Sequence, residues 1–62
     1  MNQHDLAEQD LKKAGYYLQR KGKKHDIWHN PTINCSIPLK RHDFDNEDRR
    51  YINKEIKRNA GK

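Results

Sequence analysis

The chain of 62 residues is long enough for one small domain with a modest core, since 31% of its residues are hydrophobic and 37% are charged. Its formal net charge of +5 favours a polyanionic partner, either nucleic acid or an acidic protein, over a neutral substrate. Cys35 is the single cysteine, which excludes an intramolecular disulfide, and no apolar run is long enough for a secretion signal or a membrane span. We therefore expect residues 1–62 to form a single cytoplasmic domain.

The pattern from Asn2 to Ala14 predicts a first helix, because its apolar residues recur at helical spacing. Asn2 is a suitable N-cap, and Gly15 ends the helix because glycine reaches the left-handed conformation without a steric penalty. Asp10 falls inside the apolar arc, so we expect it at the edge of the buried face. The arc contains Leu6, Ala7, Leu11 and Ala14.

Three short segments after this helix predict strands. Residues 16–20 are rich in β-formers, and residues 24–29 follow after a turn at 21–23. Residues 33–37 alternate apolar and polar side chains and give the clearest half-buried strand. Pro38 is expected to close that strand because it cannot donate a ladder hydrogen bond. The short connections predict an antiparallel meander.

An acidic run at residues 43–48 precedes a basic segment and predicts the start of a second helix, with Asp43 or Asp45 as its N-cap. Ile52 and Ile56 lie four residues apart and share a face of that helix. The expected fold is therefore an α+β domain in which both helices pack on one face of a three-stranded antiparallel sheet. The other face of the sheet is left open to solvent or to a ligand.

The segment 21–31 combines lysines with two histidines and a tryptophan. Histidine can take and give a proton near neutral pH, and lysines stabilise the charge that develops on a phosphodiester during cleavage. Basic residues interleaved with aromatic ones are also typical of RNA-binding surfaces. The alternative is that the lysines are ordinary solvated surface and the aromatic rings are core. The predicted RNA-binding residues are Arg20, Lys21, Lys23, Lys24 and Trp28.

Other chemistries have weaker support in the sequence. His25, His29 and Cys35 are the best available metal ligands, but they lack the paired spacing of a zinc site. The three glycines do not form a phosphate-binding loop. We therefore expect neither a bound metal nor a cofactor.

Three motifs in order resemble the HicA family, the small RNA-cleaving toxins of bacterial toxin–antitoxin pairs. Residues 12–17 (K-K-A-G-Y-Y) are similar to the family's K-x-x-G-[WFY] entry to its first strand. Residues 20–31 (R-K-G-K-K-H-D-I-W-H-N-P) are similar to its R-x-x-G-S-H-H-x-F-x-H-P motif. Residues 52–61 resemble its L-x-x-I-x-[KR]-x-x-G helix, so the resemblance covers nearly the whole chain.

The resemblance implies a fold like a double-stranded-RNA-binding domain, with the element order α-β-β-β-α. It also implies a metal-independent endoribonuclease that cleaves mRNA, is held inactive by a HicB-like antitoxin, and uses a histidine of its second strand for catalysis. That histidine matches His25, whereas Lys23 and Lys24 replace the family's serine and first histidine. No role is carried over to His42. The alternative function is a non-catalytic RNA-binding module whose basic face only holds phosphates.

The orientation of His25 is left open by the sequence. Strict alternation places His25, Ile27 and His29 on one face of the second strand. If Ile27 belongs to the core, His25 should point inward, and a bulge or twist after Gly22 could turn it outward. We expect His25 to be at least partly exposed, without assigning it to a face.

Overall fold

The computed structural model describes residues 1–61 and confirms the predicted α-β-β-β-α fold. Its three strands form one antiparallel sheet in the order β1-β2-β3, so β1 and β3 are the edge strands. Neither helix has the length and apolar composition that a bilayer span requires, within the part of the chain that is described. The elements are α1 (Gln3–Lys13), β1 (Tyr17–Lys21), β2 (His25–Asn30), β3 (Cys35–Lys40) and α2 (Asn46–Ala60).

The ends of α1 are the ones that the sequence predicts. The Asn2 side chain accepts a hydrogen bond from the backbone N–H of Asp5 at 2.8 Å, which satisfies one of the unpaired donors of the first turn. After the helix, Gly15 has a φ of 94°, in the left-handed region where glycine carries no penalty. Local chemistry at both ends therefore determines where this helix starts and stops.

The N-cap of α2 is Asp45 and not Asp43. Its side chain accepts hydrogen bonds from the backbone N–H groups of Glu47 and Asp48, at 3.0 Å each. The Asp48 carboxylate accepts in return from the Asp45 backbone N–H at 3.0 Å, which completes a capping box. This hydrogen bond from the Asp45 backbone is the main cause that lowers the pKa of Asp48.

The core lies between the two helices and one face of the sheet. Each helix contributes the apolar stripe that the sequence predicts, and β2 and β3 contribute alternate side chains. Tyr16 also belongs to the core, and its hydroxyl accepts a hydrogen bond from the buried Asn59 side chain at 3.1 Å. The buried cluster contains Ala7, Leu11, Tyr16, Trp28, Ile37, Leu39 and Ile52.

The third strand lies further along the chain than predicted, and the expectation that Pro38 closes it is wrong. The strand begins at Cys35, because residues 31–34 form a turn in which Asn34 has a φ of 53°. It then runs through Pro38, which lies opposite Ile27 of β2. An edge strand tolerates proline because one side of it has no ladder to complete.

A bulge interrupts β1 where it pairs with β2. Leu18 lies opposite Trp28, and Arg20 lies opposite Ile27, so Gln19 is an extra residue without a direct partner. The bulge therefore lies in the first strand and not after Gly22, where the sequence left room for one. Its effect is to place Arg20 on the same face of the sheet as Ile27.

Asp10 lies at the edge of the buried face, as expected, and links the two helices. The Arg49 Nε and the Asn53 Nδ2 each donate a hydrogen bond to Asp10 Oδ2 at 2.9 Å. The hydrogen bond from Arg49 is the largest cause that lowers the pKa of Asp10 below 3.8, with a further contribution from Asn53. The ionised carboxylate is thus the form that the folded state prefers.

This preference predicts a pH-dependent contribution of Asp10 to stability. Because the folded pKa lies below the unfolded value of 3.8, the stabilisation is present above pH 3.8 and is lost as the pH falls through the folded pKa. Asp10→Asn should lower the free energy of unfolding by about 1 kcal/mol near neutral pH, with the difference closing in acid. Urea unfolding across a pH series measures this, with the exposed Asp43→Asn as the control. A difference that does not change with pH would contradict the ionic role.

Candidate nucleic-acid interface

The alternation along β2 settles which side of the sheet carries His25. Asp26, Trp28 and Asn30 are buried toward the helices, so His25, Ile27 and His29 lie on the opposite side. Ile27 is therefore not a core residue, and His25 points outward without the help of a bulge. The histidine is exposed, as the sequence predicts.

We call the side of the sheet away from the helices the open face. Cross-strand pairing brings side chains from β1 and β3 alongside those of β2, because directly opposed residues share a face. Arg20 and Lys40 give this surface positive charge, which suits a polyanion, although an Asp48 carboxylate oxygen of α2 lies 3.6 Å from Lys40 Nζ. It consists of Tyr17, Arg20, His25, Ile27, His29, Ser36, Pro38 and Lys40.

Trp28 does not lie on this surface, and its predicted contact with RNA does not fit the structure. Only 2% of the residue is exposed, and its Nε1 is buried without a hydrogen-bond partner among residues 1–61. A ring in this position cannot stack on a base. The sequence obscured this because Trp28 alternates with Asp26 and Asn30, which make the inward face of the strand look polar.

Both polar neighbours of Trp28 are buried with partners. Asn30 donates to the Ala14 carbonyl oxygen at 3.1 Å and accepts from the Thr32 backbone N–H at 3.0 Å. The Asp26 side chain is 9% exposed, and its Oδ1 lies 3.2 Å from Arg41 Nε in an ion pair that lacks hydrogen-bond alignment. These non-local partners allow β2 to bury a polar face.

His25 and Lys40 lie opposite each other at one end of the open face. Together with Lys24, His42 and Asp43 they line a cleft of about 260 Å³. Lys40 Nζ donates to the Asp43 carbonyl oxygen at 3.2 Å and lies 3.6 Å from a carboxylate oxygen of Asp48. The cleft therefore places two lysines, a second imidazole and the acidic Asp43 around His25, and Asp48 offsets part of the charge of Lys40. Sequence reasoning missed Lys40 and His42, because only the strand pairing and the following connection bring them to this position.

The turn before His25 needs glycine at position 22. The Gly22 backbone N–H donates to the His25 carbonyl oxygen at 2.9 Å, and a Cβ at this position would lie 2.6 Å from the same oxygen. Any side chain would therefore force the backbone at the start of β2 to move. Lys23 and Lys24 are exposed on this turn, so both predicted cations are available to a ligand.

The other two predicted cations are also exposed, but on different sides of β1. Arg20 lies on the open face, whereas Lys21 lies opposite Asp26 and so belongs to the helix side of the edge strand.

On the other margin of the sheet, the Arg41 backbone N–H donates to the Lys24 carbonyl oxygen at 3.4 Å. Arg41 therefore holds the connection that carries His42 against the start of β2.

A second group of side chains lies at the far end of the open face. His29 Nδ1 lies 2.8 Å from Ser36 Oγ in a hydrogen bond. The rings of Tyr17 and His29 are nearly perpendicular, with centroids 6.1 Å apart. The even spacing of His25 and His29 was the sequence signal for their shared face, but nothing in the sequence indicated that Ser36 would contact His29.

The three candidate metal ligands do not come together. His25 and His29 are on the open face, whereas Cys35 is buried on the helix side of β3. Within residues 1–61 the ligand atoms that do approach one another belong to His4, Asp5 and Glu8 of α1, all within 4.8 Å. His4 Nδ1 and Glu8 Oε1 are 3.5 Å apart there.

Comparison of the chain with protein-family models, with curated proteins and with solved structures gave no match. The resemblance to the HicA family is thus carried by the short motifs alone. The spacing of the second motif differs from that of the family at two places. The interval between Arg20 and Gly22 is one residue shorter than in the family motif, and the interval between Gly22 and Pro31 is one residue longer. Apart from these motifs, the structure provides one cleft in which His25 is exposed beside lysines.

Proposed function

We propose that this protein is a metal-independent endoribonuclease that cleaves mRNA, acting as the toxin of a toxin–antitoxin pair. The observation that carries the proposal is the cleft in which His25 is exposed beside Lys24 and Lys40. A group that exchanges protons and fixed positive charges beside it are what cleavage of a phosphodiester requires. The family resemblance of the motifs points to the same activity.

The proposed chemistry uses the ribose 2′-hydroxyl of the RNA as its own nucleophile. His25 takes the proton from this hydroxyl while the oxygen attacks the phosphorus, and the bond from phosphorus to the 5′ oxygen breaks. His42 lines the same cleft and supplies a second imidazole that can give a proton to the leaving oxygen. Lys24 and Lys40 stabilise the charge on the pentacoordinate phosphorus. The products are a cyclic phosphate and a free 5′-hydroxyl.

The proposal includes an acidic protein partner of the HicB type. The net charge of +5 and the exposed cations on and beside the open face favour an acidic surface as the counterpart. Such a partner would inhibit cleavage by covering the cleft at His25. Because it binds the folded chain, it would also stabilise a domain with a small core.

The test is to incubate the purified protein with RNA and with DNA of the same sequence in excess EDTA. RNA should be cut and end in a cyclic phosphate, because the nucleophile is part of the substrate. DNA and 2′-O-methyl RNA should stay intact, since neither has the required hydroxyl. Cleavage of either of them, or loss of RNA cleavage in EDTA, would contradict the mechanism.

A non-catalytic RNA-binding module is the second candidate, and one observation favours it. Among residues 1–61, no side-chain hydrogen bond orients the His25 ring, although a catalytic base is commonly held by a neighbouring group. The exposed lysines would then only hold phosphates. Salt dependence cannot separate the two functions because both rely on phosphate contacts. RNA that is bound but remains intact after long incubation would favour the binding module.

A further inference from the structure

The group at the far end of the open face has no part in the chemistry proposed for His25. Tyr17 is 48% exposed although it is a large aromatic residue, and its ring meets the ring of His29 edge to face. The hydrogen bond between His29 Nδ1 and Ser36 Oγ, 2.8 Å long, holds the imidazole in place. A fixed imidazole next to an exposed tyrosine ring is a surface that can receive another flat ring.

The ring contact and the hydrogen bond within this group leave one aromatic face and one imidazole nitrogen available to a ligand. An edge-to-face contact occupies one face of only one of the two rings, so an exposed aromatic face remains. The hydrogen bond to Ser36 uses Nδ1 of His29, so Nε2 is the nitrogen left to bond a ligand. The group can therefore combine stacking with one directional hydrogen bond.

Charge along the open face identifies the kind of ligand. Arg20 lies between the two ends of the face, opposite Ile27, and none of the strand residues that form the face is acidic. His29 lies four residue steps along β2 from His25, which corresponds to about 13 Å. A ligand that reaches both ends must therefore be an extended polyanion. Bases that can stack on a side chain are exposed in single-stranded RNA, whereas a duplex keeps them stacked inside.

We propose that Tyr17, His29 and Ser36 form a base-stacking subsite for single-stranded RNA, separate from the cleft at His25. The inference rests on the proposed function for the identity of the ligand, but it does not require His25 to cut it. Tyr17 stacks on a base, and His29 Nε2 forms a hydrogen bond to the same base. Arg20 holds a phosphate on the path toward His25.

The experiment compares two probes that cannot be cleaved, a labelled 2′-O-methyl oligouridylate and an abasic 2′-O-methyl strand of the same length. Tyr17→Ala should weaken binding of the oligouridylate roughly 5- to 150-fold, the effect of losing one stacked base. Binding of the abasic strand should not change, because its phosphates are still contacted. Tyr17→Phe keeps the ring and should bind both probes like the wild type. Leu18→Ala is the matched control, since Leu18 is the next residue of β1, 38% exposed and on the other face.

Several results would overturn the subsite. These are unchanged binding of the oligouridylate by Tyr17→Ala, equal weakening for both probes, or tighter binding of an RNA duplex than of the single strand. His29→Ala gives a second readout and should also weaken only the probe that has bases, and circular dichroism shows whether each variant is folded. Cleavage of unmodified RNA is measured separately. Base-dependent binding without cleavage would refute the proposed nuclease alone, and cleavage without base-dependent binding would refute the subsite alone.

Discussion

Replacement of His25 by alanine is expected to lower the rate of RNA cleavage by about 10²- to 10⁴-fold, the usual contribution of a general acid or base. The lysines and the rest of the proposed RNA-binding surface stay in place, so the affinity for RNA should change much less than the rate. Because His25 is exposed and its ring has no hydrogen bond within residues 1–61, its loss should leave the fold intact. Single-turnover cleavage at saturating RNA and a far-UV circular dichroism spectrum measure the two properties.

The matched control is a histidine outside the open face. His4 lies on α1, where its ring packs edge to face against Phe44 with centroids 5.4 Å apart. His4→Gln should cleave RNA at the wild-type rate, provided that the variant is folded. If His25→Ala also kept the wild-type rate, the catalytic assignment would be wrong, and the cleft would be left with a role in binding only.

Replacement of Trp28 by alanine is expected to unfold the domain rather than to weaken RNA binding selectively. Truncation of a buried tryptophan costs about 3–5 kcal/mol. A domain of this length has a total stability of only about 3–9 kcal/mol, so most of it would be lost. Thermal unfolding followed by circular dichroism should show a large fall in the midpoint or no cooperative transition.

Tyr17 provides the comparison for Trp28, because it is an aromatic residue of the same sheet that lies on the open face. Tyr17→Ala should change the free energy of unfolding by about 0.5 kcal/mol or less, as is usual for a surface substitution. A Trp28→Ala variant with wild-type stability and reduced affinity for RNA would show instead that this tryptophan acts at the surface.

The order of the elements could be predicted because local chemistry determines it. Asn2, Gly15 and Asp45 mark helix ends through contacts within a few residues of themselves, and these contacts can be inferred from the sequence. The end of β3 could not be predicted in the same way. Whether Pro38 interrupts a strand depends on whether that strand is central or at an edge, which is a property of the whole sheet.

The candidate site was only partly predictable for a similar reason. The resemblance of the motifs singled out His25, and the turn residues around it are exposed as expected. The face of β2 could not be assigned, because Ile27 and Trp28 are adjacent apolar residues that point in opposite directions. The choice depends on Arg41 and Ala14, which provide the buried polar side of β2 with partners from other parts of the chain.

The two edges of the sheet carry features that disfavour the addition of a further strand. An exposed strand edge invites another chain to continue the ladder, and natural sheets resist this with bulges, prolines and charged side chains. Here the bulge at Gln19 and the flanking Arg20 disrupt one edge, and Pro38 removes a donor from the other. Aggregation through added strands is disfavoured at both margins. The partner proposed above is therefore expected to bind the open face rather than to add a strand to the sheet.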